Sequence, residues 1–197
     1  MKKIWNMIAF GISAFLSPYI TAAIFIMIIV YQNTKNLSQF LPWMGIAFFF
    51  AIMIPGGYIL WKLEKKEIAD IHLSDHTERK IPFMITAISA TAGALVLFLI
   101  GAAKPVVVMM VAFAMNAITV ALITLFWKVS IHTALYSSVI TVLVILYGAK
   151  FAWLYLLLIP LAWSRIYRHR HSLQQVIGGA IIAFVSTSLV FWIFGYI

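Results

Sequence analysis

Apolar and polar positions fall along this chain in long blocks rather than alternating residue by residue. Uninterrupted apolar runs lie at about 8–31, 43–61, 82–103, 105–127, 133–148, 151–166 and 172–196. Such runs suit membrane-crossing helices, which satisfy every backbone N–H and C=O internally where no water can. A transmembrane barrel would show short segments of strict alternation instead. The pattern predicts an all-α, polytopic integral membrane bundle of about seven (six to seven) transmembrane helices. It forms a single domain over 1–197, with no internal repeat.

Prolines and glycines punctuate the runs. Pro18 is expected to kink the first helix or to start its true span, leaving the preceding segment along the interface. Pro55-Gly56-Gly57 should disturb the second helix, whereas Pro82 and Pro105 stand where a first helical turn tolerates proline. Asn116, midway along the fourth run, is expected to bond a neighbouring helix. Gly148-Ala149-Lys150 marks a tight connection. Lys2 and Lys3 ahead of an apolar run suggest a signal peptide. The run continues to Val30 without a small-residue cleavage site, so a retained helix is expected.

Composition narrows the class. The chain has 197 residues, 64% of them hydrophobic and only five acidic, more apolar surface than a soluble domain of this size could bury. It has no cysteine, which excludes disulfides, thiolate chemistry and cysteine metal sites. The net charge of +9 is scattered over the boundaries of the apolar runs. Anionic membrane lipids are therefore the expected partner, and nucleic acid is not.

Polar residues concentrate in three breaks, at 62–81, 128–132 and 164–172. Two helices separate each break from the next, so all three should emerge on one membrane face. That face then collects all five histidines and all five acids, Glu64, Glu67, Asp70, Asp75 and Glu78. A single polar site would account for the concentration.

The richest break is 164–175. Arg165 ends one helix, His171 opens the next six residues later, and Gln175 follows by four, on the same helical face. A forked guanidinium beside an imidazole is suited to holding a phosphate while a ring nitrogen attacks it. Arginines at membrane boundaries also act as plain interfacial anchors, a reading that covers the histidines less well.

Ser164, Arg165 and His171 resemble the signature SRxxxxxHxxxD of the type 2 phosphatidic acid phosphatase (lipid phosphate phosphatase) superfamily, with Gln175 where the signature has Asp. The turn Val129-Ser130-Ile131-His132 resembles its second signature, PSGH, keeping the serine and the histidine. The stretch 70–82 stands in the place of the first, KxxxxxxRP. Anchored on Pro82, Ser74 and Ile81 replace its lysine and arginine. Divergent members place an arginine about three residues before that proline, which suits Arg79, with Lys80 beside it. The resemblance covers about 60–190.

It implies a membrane lipid phosphate or diphosphate phosphohydrolase. Its substrates would be of the phosphatidic acid, phosphatidylglycerol phosphate or polyprenyl diphosphate type. His171 would be the nucleophile forming a phosphohistidine, and His132 the acid that protonates the leaving alcohol. Arg165, Lys128, Arg79, Ser130 and Arg170 would hold the phosphoryl oxygens. Those cations neutralise the transferring group, so no metal or other cofactor is expected.

Each of these residues also has a plainer reading. Ser130 can cap a helix with His132 interfacial, and 62–80 can be a solvated charged loop. In the family the aspartate at position 175 orients the nucleophile. Gln175 can accept a hydrogen bond from the ring but brings no charge, and Ser172-x-x-Gln175 also reads as a capping box. Asp70, His72, Asp75, His76 and Glu78 together would suit a metal, though acids occur in this one loop only. The competing class is a catalytically impaired homologue that binds or transports lipid phosphates. Gln175, Ile131 and Ile81 argue for it.

Charge also bears on orientation in the cell membrane. With seven spans, the site side carries eleven basic residues against Lys35, Lys104 and Lys150 opposite. Setting aside Arg79, Lys128, Arg165 and Arg170 still leaves seven against three. The positive-inside rule then places the site in the cytoplasm, whereas members of the family usually work at the outer or lumenal face.

Overall fold

A computed structural model describes every residue except Met1, Ile71, His72, Ser74 and His76. His72 and His76 of the metal alternative, and Ser74 at the family's lysine position, thus lie outside the described residues. In chain order the helices are α1 (Lys2–Phe15), α2 (Pro18–Gln32), α3 (Leu37–Phe48), α4 (Ile54–Glu64), α5 (Lys80–Leu99), α6 (Lys104–Ile123), α7 (Ile131–Tyr147), α8 (Leu158–Tyr167) and α9 (Leu173–Ile193). No strand occurs among the described residues. Among those residues, six helical stretches are long and apolar enough to cross a membrane. They are Lys2–Gln32, Leu37–Glu64, Lys80–Leu99, Lys104–Ile123, Ala149–Tyr167 and Leu173–Ile193, with Ile131–Tyr147 a shorter apolar helix. The protein is an all-α, multi-pass membrane protein.

Proline sets the internal breaks. Pro18 opens α2, and Ser17 before it accepts the Ile20 N–H on its side chain, so α1 and α2 are separate helices. Pro55 lacks the N–H that would close an α-turn and crowds the carbonyl four residues back. The chain widens there into a π-helical turn over Phe49–Met53, in which the Ile54 N–H reaches Phe49 O. Pro160 lies within the first turn of α8, where its missing N–H is not needed, and Ala149–Leu157 before it winds as a 3₁₀ helix.

The chain is built as two compact units, 23–127 in one and 1–22 with 128–197 in the other. In the first, α5 and α6 form an antiparallel pair, joined where Gly101 takes a left-handed conformation (φ 74°). The π turn releases the Phe50 carbonyl from its usual partner, and Ser89 Oγ of α5 donates to it at 2.6 Å. A Cβ on Gly93 would lie 2.6 Å from Phe50 Cβ, so glycine is what lets α5 approach the turn. Asn116 Nδ2 donates to Ala112 O of its own helix at 2.9 Å.

In the second unit α7 and α9 run parallel, stitched by hydroxyls in a seam of small residues. Thr133 Oγ1 donates to Val176 O and Ser137 Oγ to Ala180 O, both at 2.8 Å, and Ser138 bonds Thr187 at 2.8 Å. Partner numbers rise together along both helices, which fixes the parallel sense. The 3₁₀ segment and α8 supply the return between them. At about 2.0 Å per residue over nine residues and about 1.5 Å over ten, the return reaches about 33 Å, enough to recross a bilayer core. Helix α1 packs on α8, with Ala9 and Ser13 buried and Trp5 edge-on to Trp163 at 5.9 Å.

Candidate functional site

The connection from α8 to α9 is a helix-ending motif followed at once by a helix-starting one. His169 adopts a left-handed conformation (φ 52°), its N–H bonds Ile166 O, and the Arg170 N–H returns to Arg165 O at 3.0 Å. This closure normally uses glycine, and histidine occupies it here. The His171 N–H also reaches Arg165 O, at 3.4 Å. The Arg165 backbone therefore gathers the amides of Arg170 and His171 before α9 begins.

Helix α9 opens with a capping box. Ser172 Oγ accepts the Gln175 N–H, and Gln175 Oε1 accepts the Ser172 N–H at 3.2 Å. The same Oε1 lies 3.2 Å from His171 Nδ1. An amide oxygen held by a backbone N–H is an acceptor, so Nδ1 must be the donor. The His171 proton then sits on Nδ1, leaving the lone pair on Nε2. Capping and orienting the histidine, the two readings of Gln175, are both met by one oxygen.

The turn before α7 joins this hinge. The Ser130 N–H donates to Gln175 O at 3.1 Å, and Ser130 Oγ accepts the Thr133 N–H as the cap of α7. A Cβ on Gly179 would lie 2.6 Å from Ser130 O, so only glycine allows this approach. His132, in the first turn of α7, is thereby brought to the end of the unit that carries His171. Ser130, His132, Arg165 and His171 are all buried, whereas Lys128 is half-buried and Arg170 exposed. Two buried histidines and a buried arginine in so apolar a chain need a polar environment.

Beneath Arg165 runs a chain of hydroxyls. Arg165 Nη1 donates to Ser13 Oγ at 3.2 Å, Ser13 Oγ lies 3.0 Å from Ser164 Oγ, and Ser164 Oγ donates to Leu161 O at 2.7 Å. With the Ser164 proton committed to Leu161, Ser13 donates to Ser164 and accepts from Arg165. Sequence reasoning named Ser130 but missed Ser13, and also the hydroxyl stripe of Thr133, Ser137 and Thr141 that continues from Ser130 along one face of α7. The signal for the stripe was its spacing of three and four within an apolar run.

Arg79 belongs to the other unit. Its guanidinium is buried, and Nε donates to Leu73 O at 2.8 Å. Burial pushes its pKa down to about 10, while the carboxylates of Asp70 and Asp75 push it up, so it stays cationic at neutral pH. Described residues near it in the chain make contacts of their own. Glu78 accepts the Ala69 N–H, Lys62 pairs with Glu67, and Leu73 packs with Ile59 and Ile68. No group of three acidic or histidine ligands placed for a metal occurs among the described residues.

Comparison of the chain with protein-family models, with curated proteins and with solved structures gave no match.

Proposed function

We propose that the protein is a lipid phosphate phosphohydrolase working through a phosphohistidine on His171. The observation that carries this reading is the bond between His171 Nδ1 and a Gln175 oxygen already held by the Ser172 N–H. It would leave Nε2 as the nucleophile, in a residue whose N–H reaches the carbonyl of the buried Arg165. In the first step Nε2 attacks phosphorus, the P–O bond to the lipid breaks, and His132 gives its proton to the leaving alkoxide. In the second, neutral His132 takes a proton from water, whose oxygen attacks phosphorus, and the P–N bond breaks to release phosphate. Arg165, with Lys128, Ser130 and Arg170, offsets charge on the phosphoryl oxygens. Phosphatidate, phosphatidylglycerol phosphate and polyprenyl diphosphate all suit such a clamp.

The purified protein should release phosphate from at least one lipid of that panel. His171→Ala should reduce the rate at least about 10³-fold, the scale on which losing a nucleophile acts. Turnover should persist in excess chelator, since the cations named here are side chains. Loss in chelator with recovery on adding magnesium or zinc would refute the metal-free reading.

Gln175 supports a second reading, a lipid-phosphate binding or transport protein, because a neutral amide leaves an imidazolium without a counter-charge. Phosphate-sensitive lipid binding without release would favour it. On the balance of basic residues, we place the site on the cytoplasmic face of the cell membrane.

A further inference from the structure

Lys128, Ser130, His132, Arg165, Arg170 and His171 all come from the part of their unit beyond residue 127. The N-terminal helix α1 nevertheless reaches into it. Ser13, buried in that helix, is 151 positions from Ser164 and 152 from Arg165 in sequence, yet its hydroxyl bonds both.

We propose that Ser13 is a positioning residue for the phosphoryl site, holding the Arg165 guanidinium in the orientation that meets the phosphoryl oxygens. The inference rests on the reading of Arg165 as part of the phosphate clamp. Three arguments support it. A guanidinium has five N–H donors in a rigid fork, so fixing one N–H through a neighbour sets the direction of the others. The Ser13 oxygen is itself fixed, because Ser164 is anchored on Leu161 O and leaves Ser13 one proton direction. A neutral hydroxyl aligns the arginine without cancelling its charge, which a carboxylate in the same place would do.

Neighbouring contacts hold α1 in register for this task. Trp5 packs edge-on against Trp163, and the Arg168 guanidinium lies 5.1 Å over the Phe10 ring. Ala9, one turn before Ser13, is fully buried. At about 1.5 Å per residue, the 14 residues of α1 reach about 21 Å, short of a bilayer core by themselves. The helix is thus suited to dock on α8 beside Arg165.

The test uses the full-length protein in lipid nanodiscs, with Ser13→Ala, Ser13→Thr, Arg165→Lys and the double variant Ser13→Ala/Arg165→Lys. Steady-state hydrolysis of short-chain phosphatidate should fall about 10- to 100-fold in kcat/KM for Ser13→Ala, the range for one hydrogen bond to a charged group. Most of the loss should appear in kcat, and Ser13→Thr, which keeps the hydroxyl, should recover most of it. Adding Ser13→Ala to Arg165→Lys should cost less than about twofold more. Independent, multiplying losses, or no rescue by threonine, would overturn the proposal.

A second readout does not depend on turnover. Modification of Arg165 by phenylglyoxal, followed by mass spectrometry, should speed up several-fold in Ser13→Ala and stay near the native rate in Ser13→Thr. An unchanged rate in Ser13→Ala overturns the positioning role. If the native protein turns over no lipid of the panel, the hydrolase reading fails, and the labelling rate still decides whether Ser13 sets the arginine.

Discussion

Most of what is unusual about the candidate site comes down to one side chain. Gln175 caps α9, orients His171, and through its backbone carbonyl holds the turn before α7. It does these things with a neutral group, so an imidazolium formed on His171 gains no ionic partner there. Gln175→Glu keeps the length and the capping-box chemistry while adding a charge. That charge also sits favourably at a helix N-terminus, by about 0.3–1 kcal/mol. Under the hydrolase reading, Gln175→Glu should raise kcat by about 10- to 100-fold, since an ionised neighbour strengthens the bond to an imidazolium. Thermal stability should not fall. Unchanged kcat in a folded Gln175→Glu protein would show that the position only caps the helix. An asparagine or aspartate would be a poorer test, because the shorter side chain loses the reach to the Ser172 N–H.

At the scale of elements, the α7–α9 seam brings two segments 45 residues apart into contact, Ser130 with Gln175. Its closest approach is at Gly179, where a methyl would meet the Ser130 carbonyl, part of the backbone and unable to rotate away. Gly179→Ala should therefore push the helices apart, weakening both the Ser130–Gln175 and the Thr133–Val176 bonds. A cost of about 1–3 kcal/mol is expected, as for other overpacked sites, and under the hydrolase reading a clear drop in phosphate release. Gly45, inside α3, has open space at the same position, so Gly45→Ala should be neutral or up to about 1 kcal/mol stabilising. Thermal melting of both variants in one detergent checks the contrast. Equal behaviour would mean that the seam is more yielding than its geometry implies.

For the whole molecule, the question is how many times the chain crosses. The six long apolar stretches would return both ends of the chain to one side. Helix α7 changes that count. Its 17 residues give about 25 Å, and it lies parallel to α9, one of the long candidates, along the whole seam. A seventh crossing puts the two ends of the chain on opposite sides. With the basic surplus inside, Ile197 then faces outward. An alkaline phosphatase reporter fused after Ile197 should be active, and a fluorescent one dark. The reverse result would place the site on the outer face, where the resembled family usually works.

The sequence by itself determined the class of the fold and the places where its helices break. Both are local properties: apolar length decides what can cross a membrane, and a proline at 18 or 55 disturbs the hydrogen-bond ladder whatever surrounds it. It also singled out 164–175, because charges between two apolar runs must lie at a boundary. What it could not express was which apolar helix packs on which, since lipid-facing and protein-facing residues in a membrane are equally apolar. Only the tertiary structure decided that α7 packs directly against α9, and that Ser130 is tied to Gln175. It alone buried Arg79 in its own loop against Leu73 O, and brought Ser13 from the first helix to the guanidinium of Arg165. Those contacts depend on hydroxyls, glycines and released carbonyls meeting across long separations. No local periodicity records such meetings.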